Sequence, residues 1–171
     1  DAEKIRVLLM NTGFQSIFHP SVTFTADTGA VPTYGKKEKR LKAGESLTIE
    51  PGSKYLKEGR LKIQPETEDG RILISSISRN QGTPAYCGTI EIKEETEGLT
   101  IVNDLYLEDY LKTVVSSEMP ASYELEALKA QAVCARTYAY RQILGNSYSQ
   151  YGAHVDDSTN FQVYNNTEES T

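Results

Sequence analysis

The sequence predicts an α+β protein with a small β module in front and a helical segment behind, the latter ending in a short strand-containing tail. Three observations carry this. Short alternating apolar stretches with turn residues between them fill the first hundred positions. Near Asn103 the apolar period lengthens from two towards 3.6. A stretch built largely from alanine then runs to about Leu144. Two regions follow, a β-rich module over 1–100 and a helical region over 101–171.

Lys4 to Met10 opens with polar–apolar alternation and turns fully apolar, as a strand entering a core does. Ser21 to Thr25 alternates cleanly, and Asp27-Thr28-Gly29 is turn chemistry. The run Gly35 to Lys42 is basic. It suits a solvated hairpin edge, where lysine discourages edge pairing, better than a contact to an anionic polymer. Ser46 to Glu50 is a strand ended by Pro51-Gly52. Leu61 to Gln64, Arg71 to Ile77, Gly88 to Ile92 and Leu99 to Val102 complete the series, and Glu94 to Glu97 reads as an exposed acidic loop.

From Asn103 onwards Leu105, Leu107, Tyr110, Leu111, Val114 and Val115 mark an amphipathic helix, with Glu108 and Asp109 near its start where the helix dipole favours acids. Pro120 limits that helix. Ser122 is the expected N-cap of a second helix from about Tyr123 to Leu144, stopped by Gly145-Asn146. Its alanines leave little side-chain bulk, so neighbours are expected to approach its backbone on several sides, with Cys134 as a small buried apolar group. Ser147 to Asn160 reads as loop and Phe161 to Tyr164 as a short strand.

Composition narrows the function. The chain has 171 residues, 38% hydrophobic and 25% charged, as in a globular protein. A net charge of −6 argues against nucleic acid as a partner. No apolar run is long enough to span a bilayer. The chain starts at Asp1 with no signal peptide, which suggests a trimmed or mature fragment of an anchored protein. Cys87 and Cys134 match no metal or redox spacing, and no disulfide between them is expected.

The residues from Val102 to Tyr140 carry a resemblance. Val102-Asn103, Leu107-Glu108-Asp109-Tyr110-Leu111, Ser117-Glu118-Met119-Pro120, Glu126 to Val133 and Ala135 to Ala139 together resemble the signature of the stage II sporulation protein D family, which also includes amidase-enhancer-like proteins. The opening Ile5 to Leu9 and the segment Tyr86 to Ile92 add looser support. The resemblance implies a peptidoglycan lytic transglycosylase, acting outside the cytoplasm at the cell wall on glycan strands stripped of stem peptides. It cleaves the N-acetylmuramic acid–N-acetylglucosamine bond with a 1,6-anhydro product. A cell-wall amidase is the implied partner. The competing reading is a non-catalytic glycan-binding module that stimulates such an amidase. A structural cell-envelope protein that kept the fold and lost the substrate is a third.

The resemblance assigns the catalytic acid/base to Glu118. One carboxyl group suffices, because the sugar's own C6 hydroxyl attacks in place of water. That carboxyl should start protonated, favoured by apolar walls such as Val115, Met119 and Pro120. Without the resemblance Glu118 is a surface carboxylate at a helix end. Lys129 and Arg136 lie seven apart on one helix face; they either bind the lactyl carboxylate of denuded muramic acid or pair with Glu108 and Asp109 to join the helices. Glu126 is placed to pair with Lys129. Gln131 is assigned to sugar hydroxyls or to an internal backbone group. With no tryptophan for stacking, Tyr138 is the candidate among eleven tyrosines.

Two departures from the family pattern matter. Many members carry a segment like DVCDTTHCQVY, and some bind zinc there. This chain has Asp156 and Phe161 at the two cysteine positions, so no cofactor or metal is expected, His154 notwithstanding. Members also run on past the equivalent of Thr171, so a C-terminally incomplete groove is expected.

Overall fold

A computed structural model of the chain describes residues 2–80, 82–118 and 123–166. Eleven strands and two α-helices are assigned among them: β1 Lys4–Leu8, β2 Val22–Ala26, β3 Ala30–Tyr34, β4 Lys37–Glu38, β5 Leu47–Ile49, β6 Leu61–Pro65, β7 Ile72–Ile74, β8 Ala85–Tyr86, β9 Thr89–Glu95, β10 Gly98–Tyr106, α1 Leu107–Glu118, α2 Leu125–Leu144 and β11 Val155–Asp156. They build the α+β architecture expected from the sequence.

Seven strands form one mixed sheet in the order β11-β1-β10-β9-β6-β3-β4, and four form a second in the order β5-β2-β7-β8. A single cluster of buried side chains joins them, with Val22, Phe24, Ile72 and Ile74 from the small sheet and Ile5, Val7, Ile63, Ile90, Ile92 and Ile101 from the large one. The period-two patterns produce this directly, since alternate residues of β1, β9 and β10 point into that cluster. The basic run lands on β4, the edge of the large sheet, as its lysines suggested.

The opposite face of the large sheet is polar, and pairing register explains why. Arg6 of β1 lies opposite Asp104 of β10, and Glu91 of β9 lies opposite Val102, so all four project to the same side. The Arg6 guanidinium donates to both Glu91 oxygens, at 2.7 and 3.1 Å, to Asp104 at 2.6 Å and to the Gly152 carbonyl at 2.5 Å. Arg60 adds a bond to the Tyr151 carbonyl at 2.7 Å. This cluster clamps the 148–156 loop to the sheet. Burial alone would raise the Glu91 carboxyl, but the bonds and charge of Arg6, with Arg60 and Lys62, bring it below its ordinary range.

Several sequence expectations are corrected. Helical character was expected from Asn103, but β10 continues to Tyr106 and α1 begins at Leu107. Asn103, Leu105 and Leu107 fit either period, and pairing with β1 and β9 decides for strand. The boundary near residue 100 thus falls inside β10. Strand β3 escaped notice because of Pro32, whose carbonyl accepts from Lys39 at 2.9 Å while no N–H is needed. Glu94 and Glu95 end β9 instead of lying in a loop. Phe161 to Tyr164 is not a strand; the tail's strand is β11, parallel to β1.

Helix α2 also differs from expectation. Among its side chains only Ala135 and Ala139 are buried, whereas Val133 is 65% and Leu125 64% exposed and Cys134 lies on the surface. The described neighbours reach it from one side, α1 and the tail. Ser122 lies outside the described residues, and the N-cap position falls to Glu124, which makes no side-chain cap bond. No helix among the described residues is long and apolar enough to cross a membrane.

Two stability predictions follow from these contacts. Arg6→Ala strands Glu91 on the buried face with Arg60 as its nearest remaining cation, 3.8 Å away, and should lower unfolding free energy by about 3 kcal/mol in urea titration. The second concerns pH. His154 accepts the Arg6 N–H at Nδ1, 3.0 Å away, and burial with the Arg6 charge holds its pKa below the ordinary 6.5 against the opposing pull of Asp104 and Glu3. His19 is likewise held down, by burial and then the Arg79 charge, against the opposing bond of its Nε2 to the Leu9 carbonyl at 2.9 Å. Both groups bind fewer protons folded than unfolded. The contribution of these two groups to stability should therefore be full above pH 6.5 and be lost as the pH falls below it, and His154→Gln should flatten part of that slope.

Candidate functional site

The end of α1 is held from beneath by the tail. Asn103, fully buried on the core side of β10, donates from Nδ2 to the carbonyls of Cys87 at 2.8 Å and Thr89 at 3.2 Å. Its Oδ1 accepts the Tyr164 hydroxyl at 2.7 Å. Tyr164 packs on Tyr110 of α1, with ring centroids 5.0 Å apart. The next residue, Asn165, donates its N–H to Ser117 Oγ at 3.1 Å, and that hydroxyl also bonds the Thr113 carbonyl at 2.6 Å. Two motif residues, Asn103 and Tyr110, thus serve to fix where α1 stops. Gly88 makes the same junction possible: at φ +79, a Cβ there would strike the Asp104 carbonyl oxygen and come within 2.9 Å of Leu105 Cβ.

Glu118 is the last residue of α1. Its side chain, and the Met119-Pro120 part of the motif, lie outside the described residues. Two clefts approach this helix end. One, about 350 Å³, runs between the helices and is lined by Glu108, Leu111, Val115, Ser116, Leu128 and Arg136, among others. The other, about 500 Å³, is bordered by Asn165, the residue bonded to Ser117.

Of the residues assigned to substrate, Arg136 lines the first cleft, where its guanidinium pairs with both oxygens of Glu108, one bond measuring 3.0 Å. That is the helix-joining alternative, realised for Arg136. The same pairing holds the Glu108 carboxyl below its ordinary range. Lys129 is exposed and pairs with Glu126 at 3.6 Å, one turn along its own helix, so it does not join the two helices. Gln131 and Tyr138 are half-buried, on the same side of α2 as buried Ala135, whose carbonyl accepts from Gln162 at 3.2 Å. Asp109 faces a different cleft, which it shares with Lys4, Cys87 and Asp104.

At the departed zinc segment, both positions that replace cysteine are in use elsewhere. Asp156 accepts from the Tyr148 hydroxyl at 2.6 Å and from Ser158 N–H at 2.8 Å, while Phe161 packs on Tyr148 with centroids 5.8 Å apart. His154 commits Nδ1 to the Arg6 backbone. No group of three or more metal-ligating side chains converges among the described residues. The roles of Asn103, Tyr164 and Ser117 emerge only from the fold; their one signal in the sequence is that Asn103 and Ser117 belong to the motif without being chemically needed there.

Replacing Asn103 tests the junction. Asn103→Ala leaves the Tyr164 hydroxyl and the Cys87 and Thr89 carbonyls short of partners in a buried place, and should cost about 2–4 kcal/mol in urea unfolding. Tyr164→Phe, which removes one bond, should cost about 1 kcal/mol.

Comparison with known proteins shows what the chain is similar to. Residues 95–171 match the family model described as stage II sporulation protein, SpoIID. The chain is 47% identical over 113 residues to stage II sporulation protein D of Bacillus subtilis, an alignment covering 61% of this chain and 33% of the relative. It is 43% identical over 103 residues to an uncharacterized protein of Brachyspira hyodysenteriae, covering 60% of this chain and 26% of the relative. A shorter match, 54% over 54 residues, is to the amidase enhancer of Bacillus subtilis, covering 32% of this chain and 6% of the relative. No solved structure matches. The chain spans a quarter to a third of its first two relatives, and its residues 95–171 are similar to the stage II sporulation protein D family.

Proposed function

We propose that this chain is the glycan-cleaving part of a cell-wall protein of sporulation, a lytic transglycosylase acting outside the cytoplasm on peptide-stripped peptidoglycan. The observation that carries the reading is the intact Ser117-Glu118-Met119-Pro120 motif at the end of a helix bordered by two clefts. Glu118 starts protonated and gives its proton to the glycosidic oxygen. The bond between C1 of muramic acid and O4 of N-acetylglucosamine breaks, the protonated O4 leaves as a hydroxyl, muramic acid O6 bonds to its own C1, and the O6 proton returns to Glu118. No water is consumed, so one carboxyl does both jobs.

The placement of Glu108 supports one carboxyl over two. Glu108 sits ten residues before Glu118 on the same helix, about 15 Å along its axis. Paired carboxylates of a hydrolase stand about 5–10 Å apart. Glu108 is also kept ionised by Arg136, which suits it poorly as an acid. Arg136 and Lys129 supply the positive charge for the lactyl carboxylate, Arg136 by exchanging Glu108 for it; Gln131 and Tyr138 bind hydroxyls and a sugar face from the inner side of α2.

The match to an amidase enhancer favours a second reading, a glycan-gripping module that stimulates a cell-wall amidase without cutting. One experiment separates them. Peptide-free glycan strands are digested and the products weighed by mass spectrometry, with Glu118→Gln alongside. Anhydro-muramic ends from the parent, reduced at least about 100-fold in the variant, are expected. Reducing ends carrying added water would mean a hydrolase. Strands bound but uncut, by this chain and by the longer protein alike, would leave the module.

A further inference from the structure

The second cleft contains a built aromatic feature that the family motif does not include. Phe14 is 44% exposed at its edge and holds φ +54, a backbone conformation that side-chain-bearing residues seldom adopt. The 11–16 loop is fastened around it. Asn11 Oδ1 accepts the N–H groups of Gln15 and Ser16 at 2.9 and 3.0 Å, and the Phe14 N–H donates to the Asn11 carbonyl at 3.1 Å. Arg79 donates to the carbonyls of Asn11 and Met10, both at 2.9 Å, and the Ser78 N–H reaches Thr12 Oγ1 at 3.0 Å. The Arg79 guanidinium also lies 4.1 Å from the Phe14 ring centroid, covering one face of the ring. A strained backbone held by this many bonds, carrying an exposed ring, marks a functional position.

We infer that this cleft is a sugar subsite that stacks a neutral N-acetylglucosamine ring on Phe14. The inference rests on the glycan reading above. Charge selects the ring. Arg79 is paired with Asp157 at 2.8 Å, and both side chains are buried, so among the described residues that line the cleft no unpaired cation faces a lactyl carboxylate. Ser78 and Asn80 border it and are exposed, offering hydroxyl and amide groups to sugar hydroxyls and an acetamido group. Its volume, about 500 Å³, is that of a small-molecule site. It borders the end of α1: Asn165 on its rim bonds Ser117, the residue before Glu118. The neutral ring is the leaving side of the bond that Glu118 protonates. The muramic acid side then falls to the helix cleft with Arg136, so the two clefts divide the disaccharide by charge.

The test measures binding of tetra-N-acetylchitotetraose, a neutral probe, and of peptide-free glycan strands to the parent, Phe14→Gly and Phe14→Tyr. Glycine accepts φ +54 freely, so Phe14→Gly should unfold at the same or higher urea concentration while binding both ligands about tenfold more weakly. Phe14→Tyr should bind as the parent does. Unchanged binding by Phe14→Gly, with a parent that binds strands, would overturn the subsite and leave the transglycosylase reading standing. A parent that binds strands but not the neutral probe would overturn the assignment of a neutral ring. A parent that neither binds nor cleaves strands would remove both.

Discussion

The buried amide of Asn103 is the constraint on which the site depends. It makes three hydrogen bonds in the core, to two carbonyls at the start of β9 and to the hydroxyl of Tyr164. Inside a low-dielectric core an amide is tolerated only when its polar atoms find partners, so the arrangement is all or nothing. Through Tyr164 it sets the depth of the tail, through the Tyr164–Tyr110 contact it seats α1, and through Asn165 and Ser117 it fixes the helix end that presents Glu118. The end of α1 is therefore set by a residue in a strand, fifteen places before Glu118.

A second constraint acts on the other face of the same sheet. The Arg6–Glu91–Asp104 cluster holds the 148–156 loop, and His154 of that loop returns a bond to the Arg6 backbone. Strand β11 lies in sequence between loop and tail and pairs with β1, so the two constraints act on either side of it. Together they bring a stretch with little secondary structure of its own against a rigid sheet. The ion cluster's contribution to stability depends on all its members being present, because a partly paired buried charge is worse than none.

Around the helix end, charge is distributed unevenly. The helix cleft has an apolar floor with Glu108 and Arg136 at its side, while the loop cleft has Arg79 neutralised by buried Asp157 beneath an exposed aromatic ring. The outer face of α2 keeps Leu125 and Val133 in contact with solvent. Alanine at α2's inner positions lets α1 and Gln162 come close on that side.

Much was legible in the sequence because it depends on local periodicity. Alternation revealed seven of the strands, lysines marked the edge, and the change of period announced two helices. The motif pointed to Glu118 by resemblance alone, since the chemistry of one carboxylate at a helix end has no local signature. What the sequence left open were matters of partnership. Asn103 and Leu105 fit a strand and a helix equally until β1 and β9 paired with them. Arg136 had two suitable partners in principle, and only the approach of α2 to α1 chose Glu108. Phe14 sat in an unremarked loop, and Arg79, 65 positions away, gave it a place in a cleft. Sequence determines the periodic elements and the family motif because those are properties of neighbours along the chain. Tertiary structure alone decides which charges meet, which amide is buried and which ring faces a cleft, because those are contacts between residues far apart in sequence.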